Sequence, residues 1–270
     1  MRIQSPANPR VKALAALKER KERERAGLFL VEGRREVERA LRAGLQLETL
    51  LLGPKATPED QALVGSAPIL ELSQEAMERV SVRENPPPVI GVFRLPHKTL
   101  KEVRLPQNPL VLVLLGLEKP GNLGAILRSA DGAGVDLVLV AEGVDLYSPQ
   151  VIRNSTGVVF SLPVYPASEG EAARFLEQRG LLLVAATPKG ERIYWEEDYR
   201  RGVAFLLGAE DEGLPEAWLR RAQTRVRIPM RGVADSLNVS VSAALLLYEA
   251  QRQRSLNLRT PFAAFPPTSP

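Results

Sequence analysis

An unbroken apolar run at residues 110–116 constrains the fold of this chain more than any other feature of its sequence. A strand without polar alternation has to be covered on both faces, as in parallel sheets that carry helices on either side. A helical pattern at 122–134 follows this run, and a second apolar run comes at 137–140. The order strand, helix, strand predicts a parallel sheet, so we expect an α/β domain here.

Shorter patterns predict the remaining elements of the chain. After the first unit, strands are expected at 158–164, 181–186, 203–207 and 226–228, and helices at 169–178 and 238–252. Before it, helices are expected at 9–25, 32–43 and 73–80, and strands at 29–31, 47–52 and 89–93. Strands and helices alternate in both halves, so a second, smaller α/β domain is expected at the N-terminus.

Two domains are expected, because 270 residues exceed the common domain length of roughly 100–200 residues. A polar, proline-containing segment at 97–108 is typical of a linker. We therefore assign residues 1–100 to an N-terminal domain and residues 108–256 to a C-terminal domain. The proline-rich residues 257–270 are expected to form a loose tail.

The positive charge of the chain is concentrated near its N-terminus. Residues 1–42 hold twelve Lys and Arg against six Asp and Glu, so the remaining residues sum to −2 within a net charge of +4. A local basic face is what a polyanion such as RNA would bind. The alternative is a solvated helix of alternating charge at 18–25. Charge alone leaves both interpretations open.

Several classes of protein are not expected from this composition. No stretch approaches the ~18 apolar residues of a membrane span, and the first residues are too polar for a secretory signal. The chain has no cysteine for disulfides, which favours a cytoplasmic protein. His97 is the only histidine, so we expect it to be structural or solvated and predict no metal site.

Three polar stretches, at 120–128, 207–214 and 228–240, follow apolar runs and precede helices or turns. Backbone N–H groups at such junctions lack intrahelical partners and are free to meet a ligand. Three junctions of this kind within one domain suggest a single shared site.

Taken singly, the polar residues of these stretches have simpler explanations. Asn122 is expected to be the N-cap of its helix, and Arg128 a surface residue whose stem covers apolar neighbours. Glu210 would be a solvated turn residue between glycines that allow a ligand to approach the backbone. Ser236 and Asn238 precede a helix that needs one cap, which explains one of them but not both.

Together, the polar stretches resemble the three motifs of the SpoU/TrmH family of RNA 2′-O-ribose methyltransferases, of the SPOUT class. The matching residues are Asn122, Gly124 and Arg128 in the first motif, Gly208, Glu210 and Gly213 in the second, and Ser236-Leu237-Asn238-Val239-Ser240 in the third. The similarity continues at 5–12, 148–149 and 153–157. Residues 29–33 look like the start of the L30e-like substrate-binding domain of the ribosomal-RNA members. Many members carry Asn where this chain has Ala209, which puts in doubt only a side-chain contact at that position.

The resemblance implies a fold and an activity that periodicity alone does not show. The C-terminal domain is expected to have a mostly parallel sheet and a deep trefoil knot that forms the pocket for S-adenosylmethionine. The N-terminal domain is expected to be L30e-like, and two copies to form a homodimer with active sites at the interface. The expected reaction transfers a methyl group from S-adenosylmethionine to a ribose 2′-hydroxyl of RNA. The appended N-terminal domain favours ribosomal RNA over transfer RNA as the substrate.

By the same resemblance, two sets of residues are expected to form the site. The reaction centre would consist of Asn122, Arg128, Glu210, Ser236 and Asn238. The cofactor site would consist of Thr187, Gly208, Ile228, Met230 and Leu237. A guanidinium, with a pKa above about 12, is a poor base at neutral pH. We therefore hypothesise that Arg128 grips a phosphate beside the target ribose and stabilises the developing alkoxide.

Two other functions compete with this one. A non-catalytic RNA-binding or ribosome-assembly factor would keep the fold as a scaffold, but it would not need intact Asn122, Arg128, Glu210 and Asn238. A dinucleotide-dependent oxidoreductase would carry G-x-G-x-x-G after its first strand. Here the turn offers only Gly-Asn-Leu-Gly at 121–124, and no acidic residue is expected at the end of the second strand. Methyl transfer to RNA therefore remains the expected function.

Overall fold

The computed structural model describes residues 2–65 and 67–255. The strands are β1 (Arg2–Ile3), β2 (Leu28–Glu32), β3 (Leu47–Leu52), β4 (Ile69–Leu72), β5 (Val89–Arg94), β6 (Leu110–Leu117), β7 (Leu137–Gly143), β8 (Val164–Ala167), β9 (Leu182–Ala186), β10 (Arg192–Ile193), β11 (Val203–Leu207) and β12 (Thr224–Arg227). The helices are α1 (Pro9–Ala16), α2 (Arg20–Ala26), α3 (Arg34–Arg42), α4 (Pro58–Gln61), α5 (Gln74–Val80), α6 (Pro120–Gly132), α7 (Pro149–Asn154), α8 (Val158–Ser161), α9 (Glu169–Glu177), α10 (Glu216–Arg221) and α11 (Val239–Ser255). The expected loose tail at 257–270 lies outside the described residues. Within the described ranges, no helix has the length and apolar composition that a membrane crossing requires.

The strands form two sheets, which confirms the predicted α/β class. The N-terminal sheet is mixed, in the order β1-β4-β3-β5-β2, and the C-terminal sheet has the order β10-β12-β9-β11-β6-β7-β8. Every pair in the second sheet is parallel. The carboxyl ends of β12, β9, β11 and β6 therefore lie side by side at one edge. Strand order does not define how the chain is threaded, so the trefoil knot stays a prediction of the resemblance.

Strand β6 explains why its sequence is apolar without interruption. Leu110, Leu112 and Leu114 belong to one buried cluster, on one face of the sheet. Val111 and Val113 belong to a second cluster, on the other face. Alternate side chains of a strand point to opposite faces, so a strand that is covered on both sides has no position for a polar residue.

Two predictions in the C-terminal sheet are wrong. The strand expected at 158–164 is instead helix α8, because Gly157 has a left-handed backbone (φ 82°) that starts a helical turn, and the strand begins only at Val164. Strand β7 runs three residues beyond the expected end and finishes with Glu142 and Gly143. An acidic residue therefore does stand at the end of this strand. The glycine fingerprint of a dinucleotide site is still missing from the preceding turn.

The single helix expected at 9–25 is also wrong, because it breaks into α1 and α2. Arg23 is buried, and its Nη1 donates to the carbonyl oxygens of Leu17 (2.7 Å) and Lys18 (2.6 Å), at the break. The same guanidinium forms an ion pair with Asp145 of the C-terminal half. This part of the basic segment is therefore not a freely solvated helix. Gly27 ends α2 in a left-handed conformation (φ 64°).

The two sheets share one apolar core, which joins the N-terminal part firmly to the C-terminal part. The ring of Phe29, on β2, lies 5.0 Å from that of Tyr147 and 6.0 Å from that of Phe160, measured between centroids. The segment between the sheets is also packed, since Val103 is buried in the second core cluster. A large apolar interface holds two domains in one relative orientation.

We expect Arg23→Leu to lower the free energy of unfolding by about 3 kcal/mol, because it leaves a partly buried carboxylate and two backbone carbonyls without their donor. Denaturant unfolding would measure the change. The control is Arg25→Leu, whose side chain is 76% exposed and paired only with Glu22, and which should cost less than about 1 kcal/mol. Equal losses in the two variants would contradict the assigned role of Arg23.

Candidate functional site

The three polar stretches meet at the carboxylate of Glu210. The Nδ2 of Asn122 donates to its Oε1 at 2.8 Å, and the Nδ2 of Asn238 donates to the same oxygen at 2.6 Å. Asn238 Nδ2 also lies 3.2 Å from Asn122 Oδ1, as a donor. The ammonium of Lys119 forms an ion pair with Oε2 of the same carboxylate. One acidic side chain thus connects the loops that follow β6, β11 and β12.

Asn122 is not the N-cap of α6, contrary to prediction. The helix begins two residues earlier, with Pro120 in its first turn, where a missing N–H costs nothing. Lys119 occupies the N-cap position and makes no capping hydrogen bond through its side chain. The amide of Asn122 therefore has no capping role, and it turns to Glu210 instead.

The turn that carries Glu210 depends on Gly208. A Cβ atom at this position would lie 2.0 Å from the carbonyl oxygen of Gly213, so only glycine allows the turn to close on itself. Gly213 has φ 69°, and its N–H donates to the carbonyl of Ala209 at 3.0 Å. The space on the Cβ side of Gly208 is thus filled by the turn itself.

Asn238 combines two roles. Its Oδ1 accepts from the backbone N–H of Ser240 at 2.9 Å and from the Ser240 hydroxyl at 2.6 Å, which caps the start of α11. Its Nδ2 remains available for Glu210. Ser236 takes no part in this capping: it is exposed in the preceding loop, and the structure does not bring it into contact with the cluster.

Electrostatics keep the cluster ionised at neutral pH. The hydrogen bond from Lys119, followed by that from Asn122, lowers the pKa of Glu210 below its ordinary value. The same contact with Glu210 raises the pKa of Lys119. Lys119 was not predicted from the sequence as a member of the site. Its position directly before Pro120, after a buried strand, was a signal that could have indicated it.

The expected cofactor residues gather at the carboxyl edge of the parallel sheet. Thr187 follows β9, Gly208 follows β11 and Ile228 follows β12, and these three strands are neighbours. Met230 and Leu237 are half-buried in the loop between β12 and α11. Half-buried apolar side chains at the carboxyl edge of a parallel sheet are typical of the lining of a ligand pocket.

Arg128 is not part of the Glu210 cluster within one chain. It lies six residues after Asn122 on α6, which is about 9 Å along the helix and a third of a turn away in direction. Its side chain is exposed and lines a different cleft, together with Arg35 and Arg153. The geometry therefore leaves two of the five expected reaction-centre residues, Arg128 and Ser236, outside the cluster.

Both the N-terminal and the C-terminal part of the chain match known protein families. Residues 109–248 match the SpoU rRNA Methylase family, and residues 8–91 match the MRM3-like substrate binding domain. A 23S rRNA (uridine(2479)-2′-O)-methyltransferase of Streptomyces viridochromogenes is 34% identical over 252 residues, which cover 89% of this chain and 88% of that protein.

Solved structures agree with these matches. The crystal structure of an RNA 2′-O ribose methyltransferase is 57% identical, has a TM-score of 0.84, and aligns over 94% of this chain and 100% of the other. An AdoMet-bound rRNA methyltransferase from Sinorhizobium meliloti is 30% identical, with a TM-score of 0.87 and coverage of 93% and 97%. The fold and these matches are those of an RNA 2′-O-ribose methyltransferase. More particularly, the chain belongs to the SpoU rRNA methylase family, and it carries an N-terminal substrate-binding domain.

We expect Lys119→Met to raise the pKa of Glu210 towards its ordinary value, because the largest cause of the lowering is then removed. A group with a lowered pKa stabilises the fold above its unfolded-state pKa and loses this effect as the pH falls through its folded-state pKa. As the pH falls, the contacts to the ionised Glu210 carboxylate should therefore be lost at a higher pH in the variant than in the parent protein. Carboxyl ¹³C NMR of Glu210 against pH would measure this, with the exposed Lys55→Met as control. An unchanged midpoint in Lys119→Met would rule out the assigned cause.

Proposed function

We propose that this chain transfers the methyl group of S-adenosylmethionine to a ribose 2′-hydroxyl of ribosomal RNA in the cytoplasm. The observation that carries the proposal is the convergence of Asn122 and Asn238 on Glu210 at the carboxyl edge of the parallel sheet. The Streptomyces relative, named for its action on 23S rRNA, supports ribosomal RNA as the substrate. In this proposal, residues 1–100 bind the RNA and residues 108–256 carry out the reaction.

When bound, S-adenosylmethionine supplies a methyl group on a positively charged sulfur. The edge residues Thr187, Gly208, Ile228, Met230 and Leu237 would hold it, through backbone groups and half-buried apolar side chains. The remaining task is to align the ribose hydroxyl and to stabilise negative charge on its oxygen as the proton leaves.

The hydrogen-bond inventory of the cluster indicates which amide contacts the hydroxyl. Asn238 Nδ2 has two N–H groups and makes two hydrogen bonds, to Glu210 and to Asn122. Asn122 Nδ2 makes one, to Glu210, and so keeps a second N–H for a ligand oxygen. We assign Asn122 as the donor to the 2′-oxygen, and Asn238 and Glu210 as the groups that fix its orientation. Ser236 lies in the exposed loop just before Asn238, from which its hydroxyl would contact the substrate.

Glu210 and Arg128 are both unsuitable as the general base. Glu210 is a weak base at neutral pH, because hydrogen bonds from Lys119 and Asn122 lower its pKa. A guanidinium has a pKa above about 12 and stays protonated. Arg128 would therefore grip the phosphate beside the target ribose and stabilise the developing oxyanion, which is a role that its planar, charged group fits.

A homodimer would bring Arg128 to a reaction centre that it does not reach in its own chain. The exposed face of α11 supports such a dimer, because Val241 (46% exposed), the half-buried Leu245 and Tyr248 (49% exposed) repeat at helical spacing. Helix α11 packs against α6, which carries both Asn122 and Arg128. We infer that an interface on this face brings Arg128 of one subunit to the Glu210 cluster of the other.

Mapping of ribose methylation in cells that lack this protein would test the function. We expect one or a few 2′-O-methyl groups to disappear from ribosomal RNA and to return with the parent gene, but not with Asn122→Ala. The matched control is Asn108→Ala, in the segment before β6 and outside the cluster, which should restore methylation. Loss of 2′-O-methyl groups from transfer RNA alone would show that transfer RNA is the substrate. An unchanged methylation pattern would refute the activity.

Mixed dimers would test whether Arg128 acts across the interface. A dimer of one Asn122→Ala chain and one Arg128→Ala chain would keep one complete site, and we expect about half of the parent activity from it. A dimer of one Asn122→Ala/Arg128→Ala chain and one parent chain would keep none, and should be nearly inactive. The opposite pattern would show that both residues act within one chain. A monomer by light scattering would exclude the arrangement outright.

A further inference from the structure

A cleft between the two domains is lined by arginines, only one of which, Arg128, has a role in the proposed reaction. It has a volume of about 510 Å³. Its charged residues are the five arginines Arg34, Arg35, Arg83, Arg128 and Arg153, against the single acid Glu36. Two of these arginines belong to the C-terminal domain and three to the N-terminal domain, so the cleft exists only because the domains are docked.

The segment 153–157 builds one side of the cleft. A Cβ atom on Gly124 would lie 2.3 Å from the Cβ of Asn154, so α6 rests directly on the end of α7 only because residue 124 is glycine. Arg128 follows Gly124 by four residues and therefore lies on the same face of α6. This contact brings Arg128 and Arg153 to the same cleft.

The same segment supports α3 on its other side. A Cβ atom on Gly157 would lie 3.2 Å from Arg39 Cδ, so α3 also approaches closely at a glycine. The Nη1 of Arg39 donates to the backbone carbonyl of Thr156 at 2.5 Å and to its hydroxyl at 2.9 Å. Thr156 has a left-handed backbone (φ 55°), which a β-branched residue adopts only under constraint. The first turn of α3, with Arg34 and Arg35, is thereby held over the cleft.

The five arginines differ in their pairing: Arg83 forms an ion pair with Glu32, and its side chain is only 25% exposed. Arg34 pairs with Glu38, and Arg35 pairs with Glu36, yet their side chains stay 46% and 60% exposed. No ion pair is formed by Arg128 or Arg153 with any described residue. Several guanidinium N–H groups thus line a concave surface of positive charge. Such a surface attracts anions, and its N–H groups can donate hydrogen bonds to phosphate oxygens.

We propose that this cleft binds one or two phosphodiester groups of the RNA strand beside the methylated nucleotide. The two domains then hold the RNA strand jointly. The docking of α3 on segment 153–157 fixes the distance between the cleft arginines of the N-terminal domain and the reaction centre in which Arg128 acts. Arg34, Arg35, Arg83 and Arg153 are positioning residues in this scheme. The inference rests on the proposed function, because it takes RNA as the substrate.

The test compares two double variants for binding to an unmethylated 23S rRNA transcript over a range of salt concentrations. Arg35→Gln/Arg153→Gln removes two exposed cleft arginines. Arg42→Gln/Arg220→Gln removes the same charge from exposed positions outside the cleft. We expect the cleft variant to bind at least about tenfold more weakly and to lose about 1.4 from the slope of log K against log salt, since each single-strand phosphate contact accounts for about 0.7. The control should lose far less.

Two further readouts separate this inference from the proposed function. The cleft variant should bind S-adenosylmethionine as the parent does, and saturating RNA should restore most of its methyl transfer, because the loss lies in RNA binding. Equal salt slopes in the two double variants, or a loss of cofactor affinity in the cleft variant alone, would overturn the cleft assignment. A parent protein that binds the cofactor but methylates no RNA would overturn the proposed function, and this inference with it.

Discussion

The site depends on one ionised carboxylate that accepts hydrogen bonds from two other segments of the chain. Glu210 contacts Asn122 after β6 and Asn238 before α11, and it is paired with Lys119. Parallel strands make this possible, because each delivers the loop after its carboxyl end to the same edge of the sheet. A buried apolar sheet thus gives three exposed loops a fixed common geometry, and the carboxylate connects them with charge-assisted hydrogen bonds.

The second constraint is the docking of the N-terminal domain. Phe29 shares an apolar core with Tyr147 and Phe160, and Arg23 forms an ion pair across the boundary with Asp145. These contacts make the substrate-binding domain part of one rigid architecture, whereas the polar segment at 97–108 suggested a simple linker. A rigid connection suits an RNA methyltransferase, because packing then sets the distance between the substrate-binding domain and the reaction centre.

Sequence-based prediction succeeded where local chemistry decides the structure. The uninterrupted apolar run of β6 and the helix expected at 73–80 both follow from neighbouring residues. It failed where a contact with a residue far away in the sequence decides the structure. The helix expected at 9–25 breaks around a guanidinium whose carboxylate partner is 122 residues away, and periodicity contains no information about such a contact.

The sequence by itself determined the α/β class, the family resemblance and most of the candidate residues, because periodicity and motifs depend on residues that are close together in the chain. Only the tertiary structure decided how those residues are grouped. It added Lys119 to the cluster, left Ser236 outside it, and placed Arg128 in an interdomain cleft. The physical reason is that each of these outcomes depends on the approach of segments far apart in sequence, such as the 88 residues between Asn122 and Glu210, and only packing of the whole chain brings them together.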